Sequence, residues 1–270
     1  MTAELERVVQ WYPGHMVRAM RKIGEYLKLI DIVIEVADAR VPRSGRNPAL
    51  DALIGGRARL LVLTREDLAD AHATKAWIEA FAAGGLEAFG VDGRSQRSVA
   101  RVATATLRPA KARHGVSRAL VVGLPNSGKS SVINGLMRRS AAKTENRAGV
   151  TRQLQWFRML PNVEVMDSPG ILVPKIATKD AQWKLAACGA LPRDRYDPEQ
   201  IAVAFHRWLR RQRPRTRVPD LEAFAASRGF VRRGGEIDYH NAAQAYLRAL
   251  NEGVFGRISL ESVKDDAEAA

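Results

Sequence analysis

One octapeptide constrains this chain more than any other stretch: Gly123-Leu-Pro-Asn-Ser-Gly-Lys-Ser130. Its glycines let the backbone curl so that successive amides face a common centre, while Lys129 brings a cation and Ser130 a hydroxyl. The pattern works only between a strand and a helix, because the helix N-terminus must also aim at the bound phosphate. Ala119 to Val122 supplies an apolar strand before it, and Ser131 to Arg138 a helical pattern after it. In that setting a glycine turn that merely precedes Lys-Ser is the poorer reading. The spacing predicts a nucleoside triphosphate site, with Lys129 at the β,γ oxygens, Ser130 on magnesium and Asn126, Ser127, Gly128 and Ser131 completing the cradle.

Other apolar runs rich in Val, Ile and Leu lie at Ile30 to Val36, Leu60 to Leu63, Leu86 to Val91 and Val163 to Met166. Helical patterns such as Thr74 to Ala83 fall between them, and strands alternating with helices predict an α/β fold with a mostly parallel sheet. After about Thr178 the β-branched runs stop. Ile201 to Arg211, Leu221 to Arg228 and Tyr239 to Asn251 read as amphipathic helices, so the expected domains are residues 1–178, α/β, and 179–270, small and all-helical.

Asp167-Ser-Pro-Gly170 closes the strand ending at Met166, where a carboxylate can hold magnesium's water shell and the Gly170 amide can meet a γ-phosphate. Ala148-Gly-Val-Thr151 offers the Thr151 hydroxyl to the same metal and phosphate; a ligand-free β-turn is the alternative. Selection of guanine needs a carboxylate for the purine N1 and N2 donors, usually in Asn-Lys-x-Asp after a buried strand. No such sequence follows Gly170. Upstream, Leu60-Leu-Val-Leu63 leads into Thr64-Arg-Glu-Asp67: Asp67 keeps the carboxylate, Arg65 can lie along the base as Lys would, and Thr64 replaces the amide with a hydroxyl. An acidic loop that binds nothing is the competing reading. Asp92-Gly93, after the next strand, can offer a backbone amide to the guanine oxygen.

Charge then narrows the partners. The chain has 43 Lys and Arg against 29 Asp and Glu, a net +14, which favours a polyanion such as nucleic acid. Residues 1–178 carry +11 of this and 179–270 carry +3. Locally, Arg207, Arg210, Arg211, Arg213, Arg215 and Arg217 crowd one segment, read as RNA-binding with a solvated helix end as the alternative. The single cysteine, Cys188, excludes a disulfide framework and a zinc site built on several thiolates. No apolar run reaches the roughly 18 residues that span a bilayer, so no membrane partner and a cytoplasmic location are expected.

The order of the motifs is the most informative feature, because the base-reading elements precede the phosphate-reading ones. In this the chain resembles the circularly permuted GTPases, and within them the ribosome biogenesis GTPase A family. Trp11-Tyr-Pro-Gly-His-Met16, Asp38-Ala-Arg-Val-Pro42, Ser44-Gly-Arg-Asn47 and Ile171-Leu-Val-Pro-Lys175 are similar to segments of that family, as are Phe224 to Gly235 and Gly256-Arg-Ile-Ser-Leu260. The resemblance implies a GTPase, binding GTP and GDP, that joins the maturing large ribosomal subunit and its RNA in the GTP state and leaves on hydrolysis. It also gives His15 a catalytic part, holding or polarising the attacking water, against the alternative of a loop histidine packed on Trp11 or bound to RNA. Ile171 stands where many GTPases carry a water-orienting Gln, so slow unaided turnover is expected. Asn126 is a second catalytic candidate, holding a monovalent cation such as potassium beside the β,γ bridge, or else only stabilising its own loop. A monomer off the ribosome is expected. Rival readings are a permuted GTPase of the small subunit and an RNA-binding scaffold that binds guanine nucleotide with negligible turnover.

Overall fold

The computed structural model describes residues 14–107, 116–139, 155–160, 163–168, 176, 178–232 and 234–264. The chain divides into two compact units. Of the described residues, 14–168 and 259–264 form the first, and 176–258 the second. Residues 259–264, expected in the helical domain from their place in the chain, therefore belong with the α/β unit.

The α/β unit holds a six-stranded sheet among the described residues, in the order β3-β2-β1-β4-β6-β5. Its elements in chain order are α1 (Gly14–Tyr26), β1 (Ile32–Asp38), α2 (Pro48–Ile54), β2 (Ala58–Thr64), α3 (Ala71–Ala83), β3 (Glu87–Val91), α4 (Gln96–Leu107), β4 (Ser117–Gly123), α5 (Lys129–Arg139), β5 (Gln155–Leu160) and β6 (Val163–Asp167). All pairings are parallel except that of β5 with β6. Helices cover both faces, which is why every residue of β1 is buried and its sequence shows no polar alternation. On one face Ile34, Val36, Val62 and Val121 pack with Val132, Ile133 and Leu136 of α5. On the other, Val33, Leu120, Val122 and Met166 meet Ile23 of α1 and Leu50 and Ile54 of α2. Glu35 is also fully buried on β1, and its Oε2 accepts from Arg46 Nε at 3.0 Å and Arg59 Nη2 at 2.6 Å. A carboxylate there is tolerable only because it is paired.

Strand β5 is an antiparallel edge. Phe157 and Met159 turn inward, while Trp156 is 39% exposed and carries the Arg118 guanidinium 5.7 Å from its ring centre. Side chains alternate between the two faces of a strand, and only the inward face of β5 is covered, so Trp156 and Arg158 meet water.

The second unit contains α6 (Lys179–Ala187), α7 (Pro198–Gln212), α8 (Leu221–Ser227) and α9 (Tyr239–Asn251). Each starts at a side-chain cap that accepts a backbone N–H of its first turn: Thr178, Asp197, Asp220 and Asp238. Phe205, Phe224, Tyr246 and Phe255 form one aromatic cluster between α7, α8 and α9. Tyr246 is fully buried and donates its hydroxyl to the Pro219 carbonyl at 2.7 Å, so its polar end is satisfied. Among the described residues no helix is long and apolar enough to cross a membrane.

Helix α5 approaches α4 closely at Gly135, where an added Cβ would lie 2.8 Å from Val99 Cγ2. Gly135→Ala therefore overpacks this contact, offsetting its helix-propensity gain, and Val99→Ala should relieve it. In a double-mutant cycle read by urea unfolding, the pair should be more stable than the sum of the singles by about 1 kcal/mol; additive values would contradict the packing.

Candidate nucleotide-binding site

In a parallel sheet every strand ends at the same edge, and the order here changes direction between β1 and β4, the place where open α/β sheets bind ligands. The carboxyl ends of β1, β2, β3, β4 and β6 thus share one edge, whatever their order in the chain. Asp38, Thr64, Asp92, Gly123 and Asp167 all stand at those strand ends.

The β4–α5 turn is the octapeptide. Gly123 packs so tightly on β1 that a Cβ would stand 2.2 Å from the Val36 carbonyl oxygen, and Gly128, at φ +91°, would clash with Thr64 at 3.0 Å. Lys129 is buried, and its Nζ donates to the Leu124 carbonyl at 2.7 Å and the Gly123 carbonyl at 3.3 Å. Burial lowers its pKa to about 8, against the opposing pull of the Asp167 carboxylate. Ser127 is buried, Ser130 half-buried, and Asn126 and Ser131 exposed. Asp167 ends β6, 1% exposed, and the next residue, Ser168, donates Oγ to the Val121 carbonyl at 2.7 Å.

The base-reading loop is brought to the same place. Thr64 is buried, and its hydroxyl sits between the Ser127 carbonyl at 2.5 Å and the Ala37 carbonyl at 3.1 Å. It is a peg between β1, β2 and the phosphate loop. Arg65 adopts φ +56°, and its guanidinium, expected along the base, spans Asp38 Oδ2 at 2.7 Å and the Asn126 carbonyl at 3.0 Å. Asp67 is partly exposed and accepts from Arg94 Nη2, while Asp92 Oδ1 accepts from Arg94 Nε at 3.4 Å and from the Arg94 N–H at 2.9 Å. Gly93 abuts the start of α5, since a Cβ there would lie 3.1 Å from Ser131 Cβ.

His15 falls in the first turn of α1, but its side chain lies outside the described residues, as do Thr151 and Gly170 altogether. In the second unit, Arg207, Arg210 and Arg211 lie on α7, and Arg213, Arg215 and Arg217 on the segment after it; all six are exposed. Three residues of the site were given no role by the sequence: Asp38, Arg40 and Arg94. Asp38 was legible in principle, as an acid ending the strand beside the phosphate-loop strand. Its carboxyl is held at about 2: burial alone would raise it, but the charges and hydrogen bonds of Arg40 and the charge of Arg65 outweigh that.

A phosphate loop on β4, a carboxylate ending the next strand, and a base-reading loop that comes earlier in the chain define a circularly permuted GTPase domain. The 118–195 segment matches the family described as "50S ribosome-binding GTPase". Ribosome biogenesis GTPase A of Bacillus cereus is 35% identical, over 97% of this chain and 96% of its own. That of Thermotoga maritima is 32% identical, over 95% of each. Mouse mitochondrial ribosome-associated GTPase 1 is 34% identical, over 68% of this chain and 61% of its own. Among solved structures, GDP-bound TM YlqF superposes with a TM-score of 0.73 at 30% identity, over 91% of this chain and 100% of the other. The chain belongs to the ribosome biogenesis GTPase A family.

The depressed Lys129 pKa gives a pH signature. Between pH 8 and 10.5 the unfolded chain holds more protons at this residue than the folded one, so its burial weakens the fold at neutral pH and the cost fades as pH rises. Nucleotide phosphates favour the ammonium form, so binding runs the opposite way. Calorimetry at pH 9 in buffers of different ionisation enthalpy should show uptake of about one proton per GDP bound, with little uptake at pH 7 and weaker affinity at pH 9. Proton-neutral binding at pH 9 would show that Lys129 is already charged in the free protein.

Proposed function

We propose that this chain hydrolyses GTP on the maturing large ribosomal subunit, binding it in the GTP state through ribosomal RNA and leaving once the nucleotide is cleaved. The carrying observation is the arginine segment: all six side chains are exposed, and among the described residues Arg207, Arg210, Arg211, Arg215 and Arg217 take part in no ion pair. Exposed arginines without local acids are suited to backbone phosphates. The alternative role, complementing the C-terminal dipole of α7, accounts for Arg210 and Arg211 in its last turn but not for Arg215 and Arg217 beyond it. The 118–195 match to a family described as binding the 50S ribosome supports the large subunit over the small one. A monomeric, cytoplasmic protein is part of this reading.

At the nucleotide, Lys129 and the loop amides bind and orient the β- and γ-phosphates, and Asp67 accepts from the base. A hydroxyl at Ser130 and a buried carboxylate at Asp167 are the hard oxygen donors that magnesium prefers, so the residues fit the ion. Magnesium would supply neutralisation of the charge that builds on the phosphate oxygens. Thr151 and Gly170 complete the γ-phosphate contacts in this reading. With Ile171 unable to orient water, His15 takes that part, and Asn126, exposed at the loop tip, helps hold a potassium ion. Turnover is then slow until the subunit completes the site.

Large-subunit precursors should stimulate GTP turnover, and His15→Ala should abolish the stimulation while leaving binding intact. An unstimulated wild-type protein would instead be the nucleotide-binding scaffold, and equal rates in potassium and sodium would remove the cation. Replacing Arg207, Arg210 and Arg211 together by Gln should flatten the dependence of log K on log salt by about 2 to 3 units, roughly 0.7 to 0.9 for each phosphate no longer neutralised. An unchanged slope would place the RNA elsewhere.

A further inference from the structure

We propose that Asp38 is a positioning residue for guanine-nucleotide binding: its carboxylate fixes Arg65 so that the base-reading loop and the phosphate loop are held as one unit. Asp38 ends β1 and is 5% exposed, beside Arg40 at 1%. Oδ1 accepts from the Arg40 N–H at 2.9 Å and from Arg40 Nε at 3.0 Å. Oδ2 accepts from Arg40 Nη2 at 2.8 Å and from Arg65 Nη1 at 2.7 Å. One guanidinium already neutralises this carboxylate. Arg65 is surplus to that balance, so its placement needs another reason.

The other end of Arg65 supplies it. Nη2 donates to the Asn126 carbonyl at 3.0 Å, so the side chain bridges the end of β1 to the tip of the phosphate loop. The backbone is strained at both ends of the bridge, with Arg65 at φ +56° and Asn126 at φ +55°. Non-glycine residues are found there when surrounding contacts over-determine them. Two residues further along the same loop stands Asp67, so whatever fixes Arg65 also steadies the backbone from which that carboxylate projects.

The Asp38 corner is itself braced from behind. The Leu260 N–H donates to the Arg40 carbonyl at 2.8 Å, and the Glu261 carboxylate accepts from the N–H groups of Arg43 at 2.8 Å and Ser44 at 3.2 Å. Asp38 therefore sits on a fixed turn rather than a free loop, as a positioning group must.

The inference rests on the guanine-nucleotide reading of the site, and three readouts on the full-length protein separate the two. GDP affinity of the wild type tests the reading itself; no binding would sink it. Asp38→Asn and Arg65→Lys should each weaken GDP by on the order of tenfold, the loss expected for one charge-assisted hydrogen bond. The double variant should lose no more than Arg65→Lys alone. Losses that multiply, or an Asp38→Asn protein that folds and binds GDP like the wild type, would overturn the proposal. Asp38→Asn leaves Arg40 buried beside a neutral group and can fail to fold. The third readout does not depend on it: in nucleotide-free Arg65→Lys, the amides of Leu124, Asn126, Ser127 and Gly128 should exchange with deuterium about tenfold faster than in the wild type. A mere base contact by Arg65 would leave that exchange unchanged, and unchanged exchange would overturn the proposal.

Discussion

The contact on which the rest of this structure depends is the approach of Gly123 to the Val36 carbonyl, so close that a methyl group there would stand 2.2 Å from the oxygen. It follows from the parallel register of β1 and β4, which sets Val36 opposite Gly123. Because the phosphate loop starts inside the sheet edge rather than beyond it, its backbone comes within reach of the turns after β1 and β2. Thr64 and Arg65 exploit that nearness, one through the Ser127 carbonyl and the other through the Asn126 carbonyl. A residue with a side chain at position 123 would push the loop away from β1 and break both contacts together.

The permuted order of motifs is physically inexpensive for the same reason. Parallel strands gather their carboxyl ends irrespective of which comes first, so the site needs the neighbours β2, β1, β4 and β6, and not a particular chain order. What the order does change is where the chain enters and leaves. After β6 and Asp167 the chain passes into the helical unit, and it returns at Ser259 to brace Arg40, Arg43 and Ser44.

Much of this was legible in the residues, and the misses have physical causes. Five strands announce themselves as apolar runs because a doubly covered parallel sheet leaves no polar alternation. Strand β5 does not, since Gln155, Arg158 and exposed Trp156 dilute the pattern as they do on an edge. Helix α4 lies inside a basic stretch whose charges hide its periodicity, and one of them, Arg101, turns back so that its Nη2 donates to the Gly90 carbonyl at 2.8 Å. The phosphate loop carries its own signature, whereas Arg65 and Arg94 act through partners far away in sequence. Arg94 meets Asp67 across 27 positions, and Arg65 meets Asp38 across the same number. Spacing rules see only neighbours along the chain.

Arginine does three different jobs here, set by what surrounds it. Arg40 is buried and completes a carboxylate; its planar fork can meet Asp38 through Nε and Nη2 at once, which Lys cannot do. Arg65 uses the same fork in two directions, toward a carboxylate and toward a carbonyl. The arginines from 207 to 217 have no such local obligations beyond the Arg213 contacts, and remain in water. The net +14 is thus a poor guide to where a polyanion would dock, because it does not show which cations are already paired, as Arg40, Arg46, Arg94 and Arg118 are with Asp38, Glu35, Asp67 and Glu164. Among the described residues, the helical part contributes five exposed arginines, Arg207, Arg210, Arg211, Arg215 and Arg217, that take part in no ion pair. Affinity for a phosphate backbone follows the charges that can release their counterions onto it, so the local pairing state outweighs the formal total.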